Sequence, residues 1–462
     1  MANSFVRSLI TLLIVVAALP ACAPLIQYRT NYELCVSDRL RPSAECETHA
    51  LQQLPAQDVD SNFLLGFIEF DDQGQMWDRR QMWAVLDRLS TESAGRDLLM
   101  VVFVHGWKHS AKPYDPNIET FRSVLAELSR AEKQISDVTG DPQRLVAGVY
   151  LGWRGASVTM PLVENASFWD RKNTAQKVGK VGVTEVLDRI EQIRRTKDSM
   201  EESASRTRLV VVGHSFGGAL VHSALATALE SGFVHSTGPD GTVSDVAGFG
   251  NLVVLINPAF EALLFAPLSD MSTERSTYFE PQLPVLAVLT SEADYATRYA
   301  FPAGRIFSTF FEKERSITRY NAVAKTDEIV DEEDANRSAV GHFKPYRTHR
   351  LYPTDSGSRE RAYTLENTDS FTRLQRFSQS WVNDKPGSRI PFDSLILERT
   401  TNSAGRNPYL VTYVDKELIR DHNDIADWRI INFLKQLILL SSQRPQDVQN
   451  ILRMGKVPLQ SK

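Results

Sequence analysis

The sequence predicts an α/β protein with a mostly parallel central sheet and helices on both faces. Three observations carry that expectation. Short apolar runs rich in β-branched residues recur at 98–104 (LLMVVFV), 145–151 (LVAGVYL), 209–212 (LVVV), 252–256 (LVVLI) and 285–289 (VLAVL). Stretches with helical spacing of apolar residues stand between them. The run at 209–212 leads through a Gly-rich turn straight into an Ala-rich helix at 219–229. Strands that alternate with helices imply βαβ units, and βαβ units imply parallel strands.

Each element follows from local pattern. Residues 63–70 (FLLGFIEF) form the first strand candidate, closed by the turn signal Asp71-Asp72-Gln73-Gly74. Residues 82–89 have helical spacing. Asn117 is expected to cap a helix whose one face is Ile118, Phe121, Val124, Leu125 and Leu128. Val183, Val186, Leu187, Ile190 and Ile193 share a face of another. Near the end, 409–414 (YLVTYV) is a last strand. Asp424 is then expected to cap a closing helix that turns Ile425, Trp428, Ile431, Leu434 and Leu437 or Ile438 toward the core.

The chain has 462 residues, room for one large domain with insertions or for two ordinary domains. Its formal charge of −5 comes from 52 basic and 57 acidic side chains mixed along the chain. That balance gives no electrostatic footprint for nucleic acid. No H-E-x-x-H, C-x-x-C, phosphate loop or dinucleotide fingerprint is present, so no metal or cofactor is expected.

The N-terminus reads as an export signal. Arg7 precedes an apolar run at 9–19 and the small residues that follow, and the run is short for a membrane span. Leu19-Pro20-Ala21-Cys22 resembles the bacterial lipobox, with Pro20 departing from its usual small residue. The resemblance implies cleavage before Cys22, acylation of its thiol, and an envelope location on the outer side of a membrane. Ala23 after the Cys leans toward the outer membrane in a two-membrane cell. Cys35 and Cys46 then remain for a disulfide, which an oxidising compartment permits. The expected organisation is a signal peptide at 1–21, a tether and N-terminal extension at 22–60, the main domain at 61–445 and a tail at 446–462. The stretch 299–405 is expected to be a cap or lid inserted within the domain.

Gly213-His214-Ser215-Phe216-Gly217 carries the pattern G-x-S-x-G between a strand and a helix. There the Ser occupies a strained strand-to-helix turn, and the residues two away must be small. Across roughly 63–440 the chain resembles the α/β-hydrolase superfamily, with closer likeness to bacterial members in Phe103-Val-His105-Gly106-Trp107, Leu151-Gly-Trp-Arg-Gly155 and Ser167-Phe-Trp-Asp-Arg-Lys172. The resemblance implies a serine hydrolase acting on an ester or thioester, with Ser215 as nucleophile. Backbone N–H groups of Phe216 and Trp107 would form the oxyanion hole, with His105 bracing the loop. The base is expected at His422, just after the last strand, with His342 as runner-up and His349 a structural or surface residue. The acid is expected at Asp294 after the strand at 285–289, with Glu292 second and Glu261 third. An apolar acyl or lipid substrate suits a membrane-anchored protein. The reading from another class is a non-catalytic envelope lipoprotein that uses the fold to bind protein or lipid.

Overall fold

The computed structural model describes residues 24–56, 61–155, 168–201, 205–237, 243–309, 312–354 and 370–443. Its strands are β1 (Asn31–Val36), β2 (His49–Pro55), β3 (Asn62–Glu69), β4 (Leu98–Val104), β5 (Leu145–Gly152), β6 (Arg208–His214), β7 (Leu252–Ile256), β8 (Leu286–Ser291), β9 (Ser316–Asn321), β10 (Thr326–Asp331), β11 (His349–Pro353), β12 (Arg389–Phe392), β13 (Leu395–Arg399) and β14 (Tyr409–Val414). Twelve of them form one sheet in the order β1-β2-β3-β5-β4-β6-β7-β8-β14-β11-β13-β12, and β9 and β10 pair as a separate hairpin. From β3 across to β11 every neighbouring pair is parallel. Antiparallel pairs occur only toward the sheet's two margins.

Residue alternation in the strands supplies two cores, one per face. In β4, Leu98, Met100, Val102 and Val104 enter one core, while Leu99, Val101 and Phe103 enter the other. Helices α1 (Arg79–Gly95), α3 (Phe168–Val178), α4 (Thr184–Glu201) and α5 (Phe216–Val234) cover the first face; α2 (Pro116–Thr139), α9 (Ser370–Val382) and α10 (Trp428–Ser441) cover the second. Helices α6 (Ala266–Thr273), α7 (Phe301–Ser308) and α8 (Glu332–Arg337) complete the set. Both faces are apolar and covered, which is what a parallel sheet requires.

Two helix starts differ from expectation by two or three residues. Asp115, not Asn117, caps α2, its carboxylate accepting from the Asn117 amide with Pro116 in the first turn. Asp427, not Asp424, caps α10; Asp424 accepts from Arg420 instead. The buried face of α10 is also rotated. Ile430, Phe433, Leu437 and Ile438 are buried, whereas Trp428 is 48% exposed. Contacts with α2 and α9 select that face.

Two expected segments are built differently. The extension placed before the first core strand contains β1 and β2, which extend the main sheet. Its polar-looking sequence hides them: β1 has no fully buried residue, and β2 buries His49 and Gln52 beside Ala50, Leu51 and Leu54. Cys35 and Cys46 are joined, with Cα atoms 5.7 Å apart, so the bridge ties β1 to the short turn before β2. Reduction should therefore lower stability by about 2–3 kcal/mol, the range for closing a loop of this size. A denaturant melt with and without a thiol reductant measures it; coincident curves would contradict the assignment.

The expected cap is not a separate lid either. Within it, β11, β13 and β12 continue the sheet beyond β14, and α9 packs on the sheet face. Phe301 is buried in the core, while Ile306 is 49% exposed. The β9–β10 hairpin and α8 lie outside the large sheet. The side chains of Phe307, Phe310 and Phe311, the apolar run at 9–19, Cys22 and the tail at 446–462 lie outside the description. Among the described residues no helix is long and apolar enough to cross a membrane.

Candidate active site

The elbow forms because its glycines leave no alternative occupant. Ser215 follows β6 directly and stands at φ 56°, ψ −120°, a region costly for any side chain. A Cβ on Gly217 would lie 2.5 Å from the carbonyl oxygen of His105 and closer still to that of Val104. A Cβ on Gly213 would lie 2.7 Å from the Gly217 carbonyl oxygen. The strained residue is held from both sides. Its N–H donates to the Ile256 carbonyl at 2.9 Å, and its own carbonyl accepts from the Ala219 and Ala259 amides at 3.2 Å.

Three predicted side chains meet at this turn. Ser215 Oγ is 2.6 Å from His422 Nε2, and His422 Nδ1 is 2.8 Å from Asp294 Oδ2. The Ser side is supplied by β6, the acid by the turn after β8, and the His by the β14–α10 connection. All three strands are parallel and end at the same sheet edge. Asp294 is fully buried and His422 is 13% exposed. Burial alone would raise the Asp294 carboxyl. The His422 ring and the Thr297 hydroxyl and amide more than offset it, leaving the pKa below the usual carboxylate value. An ionised Asp294 accepting from Nδ1–H leaves Nε2 as an acceptor toward the serine hydroxyl.

The loop after β4 lies against the serine. A Cβ on Gly106 would come within 2.7 Å of Ser215 Cβ, so only glycine allows the loop backbone this close. Trp107 follows in that loop and Phe216 opens α5, beside the serine. His105 braces the loop as expected. Its Nδ1 pairs with the Gly106 carbonyl at 2.9 Å, its Nε2 accepts from the Trp153 amide at 3.0 Å, and its ring stacks on Trp153.

The other candidates have different partners. His342 lies behind the acid: its Nε2 is 2.9 Å from Thr297 Oγ1, and that hydroxyl donates to Asp294 Oδ2. Glu261 is buried in ion pairs with Lys172 and Arg305. The Glu292 amide donates to the Val414 carbonyl, and its own carbonyl accepts from Arg298. His349 is buried at the start of β11.

Three further residues that support the site were not singled out from the sequence. His214 Nε2 lies 2.9 Å from the His422 carbonyl oxygen, and Asn257 Nδ2 donates to the same oxygen at 3.1 Å. Asn257 holds φ 44° at the end of β7, and its Oδ1 accepts from the Ser291 amide at 2.9 Å. Thr297 fixes both carboxylate oxygens of Asp294.

Burial also sets a pH response. Desolvation lowers His105, His222 and His342 to about 4, and lowers His214 to about 3 with help from the neighbouring His422. In the unfolded chain each titrates near 6.5. Between roughly pH 4 and 6.5 the unfolded chain therefore binds more protons. Stability is complete above about pH 6.5 and declines as pH falls, by up to about 1.4 kcal/mol per pH unit for each such His. Thermal midpoints at pH 7.5 and 5 should show a clear fall at pH 5; equal midpoints would contradict these burials.

The chain matches no family model and no curated protein. Among solved structures, a Trichoderma reesei cutinase in complex with a C11Y4 phosphonate inhibitor is similar at 12% identity, over 39% of this chain and 67% of that one, with a TM-score of 0.15. A likeness that slight carries no functional argument. What stands is an α/β protein with a large, mostly parallel sheet. Among the described residues no cluster of His, Cys, Asp or Glu is placed to hold a metal ion.

Proposed function

We propose that the protein is a serine hydrolase of the α/β-hydrolase type, cleaving a carboxylic ester or thioester through an acyl group on Ser215. The observation that carries this reading is the unbroken chain from Ser215 Oγ through His422 to Asp294 on a strained turn at the sheet's C-terminal edge. A serine hydroxyl is a weak nucleophile until a base takes its proton.

The steps follow from that geometry. His422 Nε2 takes the hydroxyl proton as Oγ attacks the carbonyl carbon. The imidazolium is stabilised by the Asp294 carboxylate against Nδ1–H. Negative charge gathers on the former carbonyl oxygen, which the backbone N–H groups of Phe216 and Trp107 would stabilise in this reading. The intermediate collapses as His422 returns its proton to the leaving alcohol or thiol. Water then repeats the cycle against the acyl-serine, giving the free acid. His214 and Asn257 hold the His422 backbone in place during both transfers.

The lipobox-like segment around Cys22 adds a location. In this proposal the mature chain begins at an acylated Cys22 and sits on the outer face of a bacterial membrane. A fluorescent fluorophosphonate tests the chemistry, because it labels only an activated serine. Labelling of folded wild-type protein supports the proposal. No labelling would return the protein to the reading of a non-catalytic lipoprotein that binds protein or lipid.

A further inference from the structure

The chain enters the fold at the same sheet edge that carries Ser215. Strand β3 ends at Glu69, beside Gly152 of β5, and Val104 of β4 lies beside Gly213 of β6. Strand β2 runs antiparallel to β3, and β1 runs parallel to β2 from Asn31 opposite His49. The start of β1 therefore lies where β3, β5, β4 and β6 end.

The residues just before β1 are fastened there. The Tyr28 and Arg29 amides donate to the buried Glu69 carboxylate at 2.9 and 2.8 Å. Arg29 Nε donates to the Ala111 carbonyl at 2.9 Å, and its guanidinium stands 4.1 Å over the Phe67 ring. Pro24, Leu25 and Ile26 then line a cleft with Lys108, His109 and Lys112, which follow the loop against the serine. Tyr28 is the sixth residue after Cys22. Six residues span at most about 20 Å even when fully extended.

We propose that this short, fastened leader holds the C-terminal sheet edge against the lipid surface, so that Ser215 faces the membrane and acts on acyl esters resident in it. This inference rests on the lipid-anchored hydrolase reading above. A second observation points the same way. The leader exposes Leu25 and Ile26, the segments after β4 and β8 expose Tyr114, Tyr295 and Tyr299, and the start of α10 exposes Trp428, at 47% to 70%. Amphipathic aromatic side chains favour the headgroup level of a bilayer. The exposed Lys108 and Lys112, which follow β4 and line the same cleft as Leu25 and Ile26, suit anionic headgroups.

The test uses the full chain, acylated at Cys22 and reconstituted into phosphatidylcholine–phosphatidylglycerol vesicles. One fluorophore is placed at Tyr295→Cys on the proposed edge and, separately, at Val138→Cys at the far end of α2. Brominated lipids should quench the label at 295 and leave that at 138 bright. Equal quenching, stronger quenching at 138, or failure of the chain to float with the vesicles would overturn the proposal. A flexible insert of about 24 residues between Ala23 and Pro24 gives the functional arm. It should lower hydrolysis of a long-chain ester in the same vesicles about tenfold and leave a soluble short-chain ester unchanged. Unchanged hydrolysis of the vesicle ester would also overturn it. Absence of turnover on both esters, with the quenching pattern intact, would instead remove the hydrolase reading alone.

Discussion

Replacing His422 with alanine should lower ester turnover on the order of 10⁴- to 10⁶-fold, the scale seen when a serine hydrolase loses its base. The same change at His342 should cost less than roughly 10²-fold, the scale of a small positioning error. The difference follows from where the two rings sit. His422 Nε2 is 2.6 Å from the serine oxygen, and in the proposed mechanism it takes the hydroxyl proton directly. His342 reaches the site only through Thr297, whose hydroxyl stands between it and Asp294. Steady-state kcat for both variants, with near-UV circular dichroism to verify folding, measures the contrast. Equal losses, or a larger loss at His342, would move the base.

Asp294→Asn should lower kcat on the order of 10⁴-fold while the fold remains intact. The surroundings dictate how the amide must sit. The Thr297 amide donates to Oδ1 at 3.1 Å, so the new carbonyl oxygen is held at that position. The new NH₂ then faces His422 Nδ1, which becomes an acceptor and pushes the proton to Nε2. Ser215 would meet a donor where it needs a base. The measurement is kcat across pH beside an unchanged thermal midpoint. Retention of more than a tenth of the wild-type rate would show that Asp294 does not set the tautomer.

Much of the site was legible because its requirements are local. The elbow needs glycine at 213 and 217 by steric exclusion, and a run of four β-formers before Ser215 announces the strand. Asp294 and His422 were readable from position, since each follows an apolar strand of the parallel sheet. The supports were not legible. His214 and Asn257 act by holding one backbone oxygen of His422, a contact made only after distant segments pack.

The margins of the sheet escaped for a related reason. Strand β1 reads NYELCV and has no fully buried residue, and β12 reads RIPF, four residues of which only Ile390 and Phe392 are buried. Such strands lack the continuous apolar run that marks β4 or β7. The long connection between acid and base was therefore expected as a lid, whereas three of its strands lengthen the sheet. The face of α10 was misjudged because Trp428 was counted as core, and its place before the first buried turn leaves it exposed.

Activation of Ser215 by His422 is open to a single labelling experiment. Purified full-length protein in detergent is incubated with a fluorescent fluorophosphonate beside Ser215→Ala and His422→Ala. The wild type should label strongly, Ser215→Ala not at all and His422→Ala at most in trace. Undiminished labelling of His422→Ala, or none of a folded wild type, would contradict that activation.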